Sequence, residues 1–251
     1  MSNLKTFRSF VNESILVVEG RYDDIVGQIV SDTINLIKKS NNGEETYGGI
    51  KVRYTAKDDV PSFFELIEDE IYLPVGEYTT ERSGIDVIVK LVIVRDESPV
   101  YPDAYVINGD ADDESATIYL EISINPEFEP QCYSDIIPDL RDIVRHEIEH
   151  LTQRGWNEKP GKFMKHNLVV RKRIEMDPNL RYRYYQLKDE VDANLHGLYA
   201  KAKTTKRPFS EVAMEFLDRQ ARKGIIPENK KREIYNIWKK RAALIKGLPP
   251  L

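Results

Sequence analysis

Five consecutive residues, His146-Glu147-Ile148-Glu149-His150, carry the most specific chemistry in the chain. On a helix, side chains four apart project from one side a single turn apart, so His146 and His150 can direct their imidazoles at one metal ion. Glu147 then falls beside the open coordination position, where a carboxylate can take a proton from the metal's water. Zinc-assisted hydrolysis of a peptide bond requires this combination. The motif therefore predicts His146 and His150 as metal ligands, Glu147 as general base and Zn2+ as cofactor. The competing reading of the same residues is a pair of partly buried histidines, capped by local carboxylates, on an ordinary core helix.

A helix must present these groups, and the surrounding run supports one. Leu140, Ile143, Val144, Ile148 and Leu151 recur at intervals of three and four, with the histidines beside that stripe. Ser134 or Asp135 is the expected cap, with Pro138 in the first turn, so the motif should begin about two turns into a helix ending near Thr152.

A catalytic zinc needs a third protein ligand. The arrangement HExxHxxGxxH is excluded, because Gln153 stands at the glycine position and Trp156 at that of the third histidine. The remaining candidates are His166, Asp189, Glu190, Asp192 and His196. Glu190 ranks first. It lies at the margin of the apolar stripe of a helix expected over 181–203, and Ala193 and Gly197 on the same side permit close helix approach. A carboxylate at such a junction is costly unless paired or metal-bound. Its competing role is an ordinary ion pair with Lys188 or an arginine. An oxyanion donor would come from Tyr182, Tyr184, Tyr185, His166 or His196, and nearness to Glu190 in sequence puts His196 and Tyr185 ahead as catalytic candidates. Asn194 and Asp192 are available to organise the site.

The other elements are read from periodicity and punctuation. Residues 21–39 form an amphipathic helix, KVRYTA a strand, 62–70 a short helix and IYLPV an extended run. The branched apolar run 85–96 reads as a central strand. A strand at 104–108 leads into an acidic turn, Asn108 to Asp113, which lacks the spacing of a calcium loop. Residues 116–124 alternate, with Ile118, Leu120, Ile122 and Ile124 on one face. If that strand lies at a rim, its backbone could pair with an extended peptide. WNEKPGKF is a loop, and KHNLVVRKRIEMDP is ambiguous. After Pro208, helices are expected to about Lys223, where Gly224 stops the first of them, and over 228–245. The expected fold is α+β: a small mixed or antiparallel sheet packed on the motif helix, then a helical C-terminal half, with the cleft where the halves meet.

Composition narrows the class further. The 251 residues are 41% hydrophobic and 31% charged, as in globular proteins, and the single cysteine, Cys132, excludes an internal disulfide framework and any cysteine-rich zinc site. No stretch approaches a membrane span, and no secretory leader is evident, so a cytoplasmic location is expected. The net charge of -5 conceals an asymmetry: residues 1–130 carry 11 Lys/Arg against 26 Asp/Glu, whereas 201–251 carry 14 against 5. The basic tail reads as a solvated helical surface. It lacks the finger, phosphate-loop or aromatic-strand patterns of nucleic-acid binders.

Two resemblances add expectations. His146-Glu147-x-x-His150 followed by Glu190-x-x-Ala193-Asn194 resembles the glutamate-liganded zincins (gluzincins), in particular the ImmA/IrrE-like group, over roughly residues 116–200. The resemblance implies a zincin-like fold and His146, His150 and Glu190 as zinc ligands. It also implies Glu147 as base and a protein or peptide substrate bound along a sheet edge. The 39 residues between His150 and Glu190 form a long excursion for that group, and the first 100 residues carry no family pattern. Separately, Leu4 to Glu13, with its Phe-x-x-Phe core, resembles the capsid-targeting leaders of tailed-phage head proteins. That implies a phage-encoded protein, in host cytoplasm or virion, with virion proteins as partners; the helical spacing of Leu4, Phe7, Phe10 and Val11 by itself favours a docked N-terminal turn. The implied organisation is a leader or docking segment over 1–19, a zincin-like catalytic domain over 20–203 and a basic helical extension over 204–251. The leading function is a zinc metalloendopeptidase. The alternative is a structural or virion-associated interaction protein that keeps the fold and metal without turnover, and a third reading is a peptidase held latent until its leader is cleaved.

Overall fold

A computed structural model describes residues 22–41, 73–80, 85–95, 105–112, 117–125, 129–152, 169–174 and 176–251. The leader, KVRYTA, the 62–70 helix, the WNEKPGKF loop and His166 lie outside the described residues. The chain is mixed α+β, and its contacts define two units, one within Asp24–Ile148 and one within Glu149–Leu251 that also takes in Asp23. Among the described residues no helix is long and apolar enough to cross a membrane.

In the first unit, α1 (Asp23–Asn41) buries Ile25, Val26, Ile29, Val30, Ile34 and Ile37, an i, i+3, i+4 stripe. Four strands form one sheet: β1 (Leu73–Thr80), β2 (Ile85–Arg95), β3 (Tyr105–Asp112) and β4 (Thr117–Ile124), in the order β1-β2-β4-β3. β2 pairs antiparallel with β1 and parallel with β4, and β4 pairs antiparallel with β3. The apolar run of β2 is central, as its composition predicts. Ile118, Leu120, Ile122 and Ile124 of β4 are completely buried.

The strand 116–124, which its pattern leaves open between a rim and an interior position, is interior: β4 is paired on both sides, and the edge on that side of the described sheet is β3. The sequence expectation of an acidic turn over 108–113 is corrected: residues 108–112 are the second half of β3, with Asn108 opposite Glu121, Gly109 opposite Leu120 and Asp112 opposite Thr117. Local turn preference yields there to ladder pairing, a non-local gain that no single-strand pattern reveals.

Helix α2 (Glu129–Thr152) carries the motif. It starts earlier than expected, and Pro138 lies inside it rather than in its first turn. An interior proline removes a helical hydrogen bond and costs roughly 3 kcal/mol. The offset is burial of Cys132 and Ile136, which extend the ladder Leu140, Val144, Ile148, Leu151 a further two turns toward the N-terminus. Beside the proline, the Tyr105 hydroxyl of β3 lies 2.8 Å from the Asp135 carbonyl and 2.9 Å from Asp139 Oδ2.

In the second unit, the helix expected over 181–203 is two elements. Pro178–Gln186 is a 3-10 helix capped by the Asp177 side chain, and α3 (Lys188–Thr205) follows after Leu187, whose extended backbone (ψ 133°) breaks the run. The Trp238 indole donates to the Tyr185 carbonyl at 2.8 Å, in place of the helical N–H that carbonyl would otherwise meet. Helices α4 (Phe209–Arg222) and α5 (Glu228–Ala242) share one core with α3 around fully buried Trp238, Leu217 and Ile234. Gly224, with φ +72°, makes the turn between α4 and α5 that only glycine adopts without strain.

Candidate metal centre

The buried ladder of α2 fixes the rotation of that helix, and the motif side chains follow from it. His146 and His150 are half-buried beside the ladder, and Glu147 is only 6% exposed. One ligand atom from each of His146, Glu147 and His150 lies within 4.8 Å of the others. Two imidazoles and a carboxylate at that spacing can hold a metal ion such as zinc, with Glu147 as the carboxylate of the group and Glu190 outside it.

The seat of Glu147 is made by Gly109. A Cβ added at Gly109 would lie 2.5 Å from Ile143 Cγ2 and 3.1 Å from Glu147 Oε1. Only a residue without a side chain lets β3 pass this close to α2. From Tyr105 to Gly109 the strand advances about 13 Å; from Asp139 to Glu147 the helix advances about 12 Å. The two elements therefore run alongside one another in the same direction, with this edge of the described sheet beside the motif. Sequence reasoning took Gly109 for a turn glycine. The missed signal was its place in phase with Tyr105 and Ile107, on one face of the strand.

Glu190 lies in the first turn of α3, where the helix's partial positive charge favours an acid, and it is completely buried. Its Oε1 stands 3.6 Å from His150 Nε2. The same oxygen accepts a hydrogen bond from Arg171 Nη2, which also donates to Asp189 Oδ2 at 2.6 Å. Burial opposes the charge on Arg171, but Glu190, Tyr184 and Asp189 outweigh it and hold the guanidinium protonated above its ordinary range. Arg171 belongs to 169–174, part of the segment left ambiguous by its sequence pattern and here helical. Two adjacent acids at a helix start, preceded by the basic run Arg171-Lys172-Arg173, were the available signal.

The other candidates are placed as follows. Asp192 is engaged by Arg241 at 2.6 and 2.7 Å, a bidentate pair, and Asn194 donates to the Glu190 carbonyl at 2.7 Å, supporting its backbone. His196 Nε2 lies 3.6 Å from Glu149 Oε2. Tyr185 packs edge-on against Tyr184 and Phe216, and burial, assisted by the charge of Glu190, pushes its phenol up to about 12. Tyr184 and Tyr185 line a cavity of about 380 Å³ together with Ile174, Arg181 and Ile225. No protein-family model, curated protein or solved structure matches the chain.

Proposed function

We propose that the chain is a zinc-dependent metalloendopeptidase of the glutamate-liganded zincin kind, with His146, His150 and Glu190 as ligands and Glu147 as general base. The observation that carries this reading is the grouping of His146, Glu147 and His150 within 4.8 Å on one continuous helix. Zinc, when bound, supplies an acidified water and polarises the substrate carbonyl. Glu147, seated against Gly109, accepts the proton of the attacking water and passes it to the leaving amine. The edge that β3 forms in the described sheet offers backbone groups to an extended peptide. His196 and Tyr185 remain the donors assigned to the oxyanion. The leader resemblance makes virion proteins the proposed substrates or partners, and mass analysis for trimming after Glu13 tests that part.

The Arg171–Glu190 pair favours a second reading, because it neutralises the buried acid without any metal: an interaction protein that keeps the fold without turnover. Metal analysis with peptide-library cleavage, on wild type and Glu147→Gln, separates the two. Glu147→Gln is expected to keep zinc and lose about 10²- to 10⁴-fold in turnover. Equal cleavage by both proteins removes Glu147 as base, and zinc-loaded wild type with no cleavage supports the interaction protein.

A further inference from the structure

Glu190 Oε1 is approached by two nitrogens at once, Arg171 Nη2 and His150 Nε2. A divalent ion bound to that same oxygen beside His150 would set two cations against one carboxylate oxygen, and their mutual repulsion weakens the hold of Arg171 on it. Arg171 has other partners within reach. Its Nη2 already donates to Asp189 at 2.6 Å, Nη1 lies 3.5 Å from the Tyr184 hydroxyl, and the guanidinium sits 5.3 Å from the Tyr184 ring centroid. Its side chain is 27% exposed, so it has room to move that Glu190, at 0%, lacks.

We infer that Arg171 is the resident counter-cation of Glu190: it neutralises the buried carboxylate before metal loading and withdraws onto Asp189 and Tyr184 when the metal arrives. This deepens the reading above and rests on Glu190 being a ligand. Arg171 is then a positioning residue that sets metal affinity through competition, and Asp189 is the seat that makes its withdrawal favourable.

The test is zinc affinity by chelator competition, with thermal melting as an independent readout. Arg171→Gln removes the competitor and is expected to bind zinc about tenfold more tightly than wild type. Asp189→Asn removes the seat and is expected to bind more weakly, and Arg171→Lys, which keeps charge without the fork, is expected to fall between wild type and Arg171→Gln. Without zinc, Arg171→Gln takes a positive charge away from buried Glu190, so its melting temperature drops and zinc raises it by more than in wild type. Should that variant fold poorly, Arg171→Gln/Glu190→Gln restores melting in the absence of zinc. Affinity unchanged or weakened in Arg171→Gln, with Glu190→Gln clearly weaker than wild type, overturns the competition while leaving Glu190 a ligand. Zinc binding indifferent to Glu190→Gln overturns the ligand assignment itself, and the competition with it.

Discussion

Glu147 and Glu190 are both buried acids, yet the molecule seats them by different physics. Glu147 is placed by shape: a strand passes so close to α2 that a single added carbon would strike Ile143 and the Glu147 side chain. Glu190 is placed by charge, in the first turn of α3 with a guanidinium on its Oε1 oxygen. A group seated by shape tolerates no change of volume, because packed interiors yield little. One seated by charge can exchange its counter-ion for another of the same sign. The contrast suits the proposed roles, since a base must stay still while a ligand must accept an incoming cation.

That contrast can be broken at several points. The largest effect is expected at Trp238, which is fully buried and whose N–H holds the Tyr185 carbonyl in the second unit's core. Trp238→Ala should lower the unfolding free energy by about 3–5 kcal/mol in urea titration. A loss below 1 kcal/mol would show that the ion pairs, and not this core, hold the helices together. Next comes Gly109→Ala, expected to cost about 1–3 kcal/mol and to reduce peptide cleavage by displacing Glu147. Wild-type stability and activity in that variant would mean that β3 does not clamp α2. The smallest effect is expected at the partly exposed Asp192–Arg241 pair: Asp192→Asn should cost about 1 kcal/mol, with zinc affinity unchanged. Loss of zinc there would move Asp192 into the ligand set.

Much of this arrangement can be read along the chain. The α2 stripe, the central run of β2 and the alternation of β4 are short-period signals, each repeated within one element. The corrected readings share one cause. Pro138 looks like a helix start until the burial of Cys132 and Ile136 is counted. Asn108-Gly109-Asp110 looks like a turn until β4 pairs with it. The run 181–187 looks continuous with the helix after it until Trp238, more than fifty residues later, takes the Tyr185 carbonyl.

From the sequence alone follow the types and spacing of the chemical groups: two histidines one turn apart, a carboxylate between them and a later acid at a helix margin. Helical geometry is local, so a five-residue pattern is enough to state it. Only the tertiary structure decides that β3 is an edge of the described sheet, that Gly109 seats Glu147 and that Arg171 meets Glu190. Those outcomes depend on which distant segments pair, and pairing is settled by the joint burial of whole elements and the neutralisation of charges they enclose.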